Sequence, residues 1–148
     1  MSSAAQRFIS LIFDGRYDEA DAVLREQRDP ASVGDTPRLI GVGEALRTKI
    51  LQLGFAPSAQ RRILAGTYMS ACQLREQKYW CDAAAIYLDV VELSLTIDEA
   101  FFLNDARLSR AVCLKNLGRI TEYEREKAKV PADTTILIDG VNWRVEDL

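Results

Sequence analysis

The chain has 148 residues, 48% hydrophobic and 28% charged, the size and balance of one folded domain, which excludes disordered, collagen-like and low-complexity chains. It contains no histidine, and this removes Ser-His and Cys-His catalytic pairs and His-ligated metals. A net charge of −3 gives no overall attraction to nucleic acid or anionic lipid.

Eight glycines and four prolines leave little of the chain for turns, so helices are expected throughout. In residues 4–13, Phe8, Leu11 and Ile12 recur at helical spacing before Asp14-Gly15-Arg16 breaks the run. Residues 17–26 form a second helix, with Ala20, Val23 and Leu24 apolar and Asp18, Glu19 and Asp21 near the N-terminus, where the helix dipole favours negative charge. Residues 29–35 are loop material, and Thr36-Pro37 reads as a cap and first-turn proline of a third helix that reaches Leu53 and stops at Gly54. Ser58 is expected to cap a fourth helix over 59–77, with Ile63, Leu64, Tyr68, Ala71 and Cys72 on one side. Gly41, Gly43 and Gly66 weaken helices three and four, interior glycine costing about 1 kcal/mol relative to alanine.

The fifth helix, 80–95, carries the clearest stripe: Trp80, Ala83, Ala84, Tyr87, Val91 and Leu95. Thr96-Ile97-Asp98-Glu99 resembles a cap with acidic first-turn residues, so the sixth helix is expected from there to Leu117, with Phe101, Phe102, Leu108, Ala111 and Leu114 apolar. Gly118 stops it. A seventh helix over 121–129 ends on Lys127 and Lys129 before Pro131. The tail changes period: 135–138 and 141–145 read as two strands about Asp139-Gly140. Pairing across that turn puts Ile138 opposite Val141, Ile136 opposite Trp143 and Thr134 opposite Val145 on one face, with Thr135, Leu137, Asn142 and Arg144 on the other. A lone hairpin is marginal in water, so its apolar face is expected to pack on the helices or on another chain. The organisation is thus a helical unit over 1–130 and a hairpin over 131–148.

Cys72, Cys81 and Cys113 are three in number and lack paired CxxC spacing, so they are expected to be buried thiols, without a metal or cofactor, in a reducing cytoplasm. The longest uncharged stretch, 63–74, is too short to span a bilayer, and 8–13 is too short for a signal-peptide core; no membrane association is expected.

Three hairpins share a pattern of a turn residue, a bulky residue two positions on, and a small or aromatic residue three further: Gly15, Tyr17, Ala20; Lys78, Trp80, Ala83; Gly118, Ile120, Tyr123. The string Asp14-Gly15-Arg16-Tyr17-Asp18-Glu19-Ala20 resembles the turn of a tetratricopeptide repeat, and Asn116-Leu117-Gly118-Arg119 with Ala111 resembles it again. The turns are 63 and 40 residues apart, longer than that family's period of about 34, so the repeats are irregular. An unrelated bundle of helical hairpins would share the same turn physics. The resemblance implies an all-α fold: antiparallel helical hairpins stacked as a right-handed array of about seven helices. It also implies a groove that binds a peptide or helix of another protein. The positions it implies for the groove are Tyr68, Cys72 and Arg75 on the fourth helix and Leu108, Val112 and Lys115 on the sixth. Tyr68, Leu108 and Val112 are equally compatible with the core. Chaperone-binding members hold a terminal carboxylate with several Lys and Asn residues; only Arg75, Lys115 and Asn116 could serve here, so that use is not expected. Ile136, Ile138 and Trp143 are the candidates for a hairpin interface.

Between residues 45 and 75 stand five basic and no acidic side chains, and between 79 and 106 six acidic and no basic ones. Two readings stay open: charge pairing between adjacent helices, and steering of an acidic partner. Arg61-Arg62 is a pair without interleaved aromatics, so nucleic acid is not expected as a partner. No residue spacing is diagnostic of catalysis. Gly41-Val42-Gly43 lacks both the third glycine of a dinucleotide fingerprint and a P-loop lysine, and Cys72 one turn from Arg75 is the nearest approach to an activated nucleophile. The expected function is a cytoplasmic, non-enzymatic interaction module. Alternatives are a dedicated secretion-type chaperone, a bacterial immunity-type inhibitor, or a homodimeric scaffold joined through the hairpin edge.

Overall fold

The apolar periodicities close into helices in a computed structural model that describes residues 3–26, 42–54, 56–138 and 140–148. Among the described residues there are seven: α1 (Ser3–Phe13), α2 (Tyr17–Glu26), α3 (Val42–Leu53), α4 (Pro57–Glu76), α5 (Trp80–Ile97), α6 (Leu103–Asn116) and α7 (Ile120–Ala128). Strands β1 (Thr135–Ile138) and β2 (Val141–Arg144) and a 3-10 turn (Val145–Asp147) complete the chain. The architecture is mostly helical with a small two-stranded antiparallel sheet at the C-terminal end. The loop at 29–35, the Thr36-Pro37 helix start and Asp139 of the hairpin turn lie outside the described residues.

The turns after α1, α4 and α6 are built alike. Arg16, Tyr79 and Arg119 each donate a backbone N–H to the carbonyl five residues back, on Leu11, Leu74 and Leu114, at 2.9 Å. Gly15, Lys78 and Gly118 donate to Ile12, Arg75 and Lys115 and are left-handed, with φ of 73°, 64° and 77°. This is the Schellman closure, which satisfies the last helical carbonyls and reverses the chain. Tyr17, Trp80 and Ile120 then open α2, α5 and α7, and Ala20, Ala83 and Tyr123 are buried against the preceding helix. The three hairpins seen in the sequence therefore share one backbone geometry.

One apolar cluster joins α1 through α6, with Phe8, Ile12, Leu46, Ile50, Leu64, Tyr87 and Leu93 at its centre. Gly66 belongs to this packing: a Cβ there would lie 2.3 Å from the Tyr17 ring, whose hydroxyl donates to the Arg62 carbonyl at 3.1 Å. The interior glycine thus makes room for α2 against α4. Two smaller clusters lie beyond. Leu108 of α6 packs with Val130, Ile136 and Val145, so one face of the hairpin lies on the helices, and Ala111 and Leu114 pack with Tyr123 of α7. The register pairs Ile136 with Trp143 and Ile138 with Val141, as the alternation requires.

Two expectations are corrected. α4 begins at Pro57 behind Ala56, which makes no side-chain cap, and Ser58 sits inside the helix; a first-turn proline has no N–H to cap and its fixed φ already suits the helix. Helix α5 runs on to Ile97 and closes at left-handed Asp98, φ 55°, with the Glu99 N–H bonded to the Ser94 carbonyl. The acidic pair therefore ends one helix instead of starting the next. The Glu99 carboxylate accepts the Phe101 N–H at 3.2 Å, α6 starts only at Leu103, and Phe101 and Leu95 are left exposed.

Candidate functional site

The residues of α6 point two ways. Leu108, expected on a groove wall, is 0% exposed beneath the hairpin. One turn further, Val112 is half-buried and Lys115 exposed. The hairpin's inner face is Ile136, Ile138, Val141 and Trp143. Ile136 is buried and offers no surface for an interface. Ile138 is half-buried, and Val141 and Trp143 are exposed.

Between the hairpin, α6 and α7 lies a cleft of about 650 Å³. Val112, Ile138, Val141, Trp143 and Leu148 give it an apolar lining, and Lys115, Asn116, Tyr123 and Asp147 supply polar groups. Its walls are held in place by hydrogen bonds. The Tyr123 hydroxyl and the Lys127 ammonium both donate to the Leu148 carbonyl, tying the 3-10 turn to α7. Lys115 Nζ stands 5.6 Å from the centre of the Tyr123 ring, a cation–π contact. Asn116 donates to the Val112 carbonyl at 2.9 Å.

The α4 residues form a second group. Tyr68, Cys72 and Arg75 follow one another at four and three positions along one side of the helix and meet Tyr87 of α5. The Tyr87 hydroxyl donates to Cys72 Sγ at 3.2 Å, and the Tyr68 ring packs 5.9 Å from Tyr87 and 4.9 Å from Phe102. Burial raises both phenols and both thiols of this group: Cys113 is pushed up to about 12, and Cys72 is raised despite Arg75 one turn away. The thiolate that a nucleophile needs is therefore disfavoured at Cys72. All three cysteines are free thiols. Among the described residues no group of three Cys, Asp or Glu is placed to hold a metal, and no helix is long and apolar enough to cross a membrane.

The structure thus joins Val112 and Lys115 to Ile138 and Trp143 in one cleft and leaves Tyr68, Cys72 and Arg75 outside its lining. The sequence reading missed Val141, Tyr123, Asp147 and Leu148 as lining residues; only Val141 had a usable signal, its shared strand face with Ile138 and Trp143. Tyr87, a stripe residue, turns out to supply a polar contact as well. The charge blocks partly cancel within the chain: Arg47 pairs with Glu92 and Arg61 with Glu99, each at 2.9 Å. Comparison with protein-family models, curated proteins and solved structures finds no match.

Proposed function

We propose that this chain is a non-enzymatic, tetratricopeptide-like interaction module of the cytoplasm that holds a peptide or helix of a partner protein. The observation that carries the reading is the cleft itself: about 650 Å³, lined by five apolar side chains together with Lys115, Asn116, Tyr123 and Asp147. Pockets of this make-up bury an apolar side chain while a few polar groups fix its orientation. The three like turns support stacked hairpins as the scaffold, since hairpins repeated along a chain leave grooves between successive units. The alternative is a dedicated secretion-type chaperone or an immunity-type inhibitor, its client being one protein.

The test is to recover a partner from the native cell, identify it by mass spectrometry, and titrate the purified pair. Val141→Asp and Lys115→Ala alter exposed cleft residues and should each weaken binding tenfold or more, about 1.4 kcal/mol, with the melting temperature unchanged. Unchanged affinity in both variants would refute the cleft as the binding surface. A homodimeric scaffold is favoured by one feature, the two-stranded sheet with open edges and an exposed Leu137. Light scattering that returns a monomer mass at millimolar concentration removes it.

A further inference from the structure

Arg75 is a buried cation with no anion beside it among the described residues. It is 8% exposed, at the end of α4, and among the described residues its guanidinium meets no carboxylate and makes no hydrogen bond. The contrast within the chain is sharp: Arg47 and Arg61 pair with Glu92 and Glu99, and Arg107 and Arg110 share Glu126. The groups that face Arg75 are Tyr87 of α5, Cys72 and Tyr68 of α4, and Cys113 of α6. Burial keeps all four protonated at neutral pH, so none offers a countercharge. Ser109 of α6 stands beside Tyr68 and adds a further neutral hydroxyl to this surrounding.

A desolvated charge left unpaired is a large penalty for a fold to carry. Yet the guanidinium is not sealed: Arg107 Nε and Arg110 Nε are enclosed without a hydrogen-bond partner, whereas no nitrogen of Arg75 is. A small anion from outside can reach it. Its planar fork of donors matches a carboxylate in bidentate fashion. A single cation among neutral hydroxyls and thiols suits a monoanion; phosphate draws several cations together.

We propose that Arg75 is an anion-receiving site that takes a carboxylate of the bound polypeptide. This rests on reading the molecule as a holder of polypeptide, and it places a second anchor on α4 beyond the cleft lining. The carboxylate comes from an Asp or Glu side chain or from a chain terminus, and the two sources are separable.

The experiment titrates purified full-length protein with N-acetylglutamic acid α-amide, N-acetylleucine or inorganic phosphate, read by calorimetry and by melting temperature. At least one carboxylate should raise the melting temperature saturably, by roughly 3–6 °C at ten times its Kd, and the rise should vanish in Arg75→Gln. The glutamate amide acting alone points to a side-chain source, and N-acetylleucine acting alone to a terminus. Free Arg75→Met should melt no lower than the parent, because an apolar chain of similar length replaces an uncompensated charge. The proposal is overturned if neither carboxylate gives an Arg75-dependent rise, if phosphate alone gives one, or if Arg75→Met melts several degrees lower. No partner protein enters this titration, so its failure beside intact partner capture refutes the anion site alone, and the converse refutes the cleft alone.

Discussion

At Lys78 the chain uses a side chain where its two sister turns use glycine, and the backbone is left-handed all the same, φ 64°. A Cβ in that conformation costs roughly 1–2 kcal/mol, the cost glycine avoids. Lys78→Gly should therefore stabilise the protein by about 0.5–1 kcal/mol once the greater entropy of unfolded glycine is deducted, seen as a higher urea midpoint with unchanged slope. Asp105 carries a different strain, because burial raises its carboxyl. The folded chain then holds this proton to higher pH than the unfolded chain does, so the stability linked to it is full below the unfolded value of about 3.9 and is lost as pH rises through the folded one. Asp105→Asn should raise stability at pH 7 and leave it unaltered near pH 3, as denaturation at the two pH values would show. Of these two residues, Lys78 was visible in the sequence as the odd member of a turn series. Asp105 was not, since nothing local says that a first-turn carboxylate will be covered by a neighbouring element.

Helix α7 is held to α6 by charge as much as by apolar contact. Glu126 is 3% exposed; Arg110 Nη1 lies 2.8 Å from it, Lys129 3.7 Å and Arg107 3.9 Å. Breaking a buried pair leaves the remaining charges uncompensated, at a cost of about 3–5 kcal/mol. Glu126→Gln should lose about that much in equilibrium unfolding, while Glu124→Gln, on the exposed side of the same helix, should be neutral within about 0.5 kcal/mol. The element boundaries teach the same distinction. Most helix spans and the strand register were legible from period and turn residues, because both are local rules. The run at 96–99 was misread because an acidic pair satisfies a helix start and, with one left-handed residue, a helix stop; the choice fell to the packing of α5 on α6.

On the scale of the molecule, the large cluster spanning α1 to α6 is distinct from the two smaller ones under the hairpin and α7. Regions with few buried apolar contacts open before the rest. Amides of α7 and the hairpin should thus exchange hydrogen at a free energy more than about 1.4 kcal/mol, or tenfold, below those of α4 and α5; uniform protection would contradict the division. The same end supplies walls of the cleft.

What the sequence determined by itself was the helical class, the repeated turn and the two faces of the hairpin, since residue spacing and backbone sterics act within a few positions of one another. The tertiary structure decided which of those faces meet. Leu108 and Val112 are four residues apart on one helix; the first is sealed against Val130, Ile136 and Val145, while the second lines a cleft with Ile138, Val141 and Trp143. Arg75 was legible as a cation on a helical face; that no carboxylate among the described residues comes to meet it depends on how α4, α5 and α6 pack, over distances along the chain that no local pattern records.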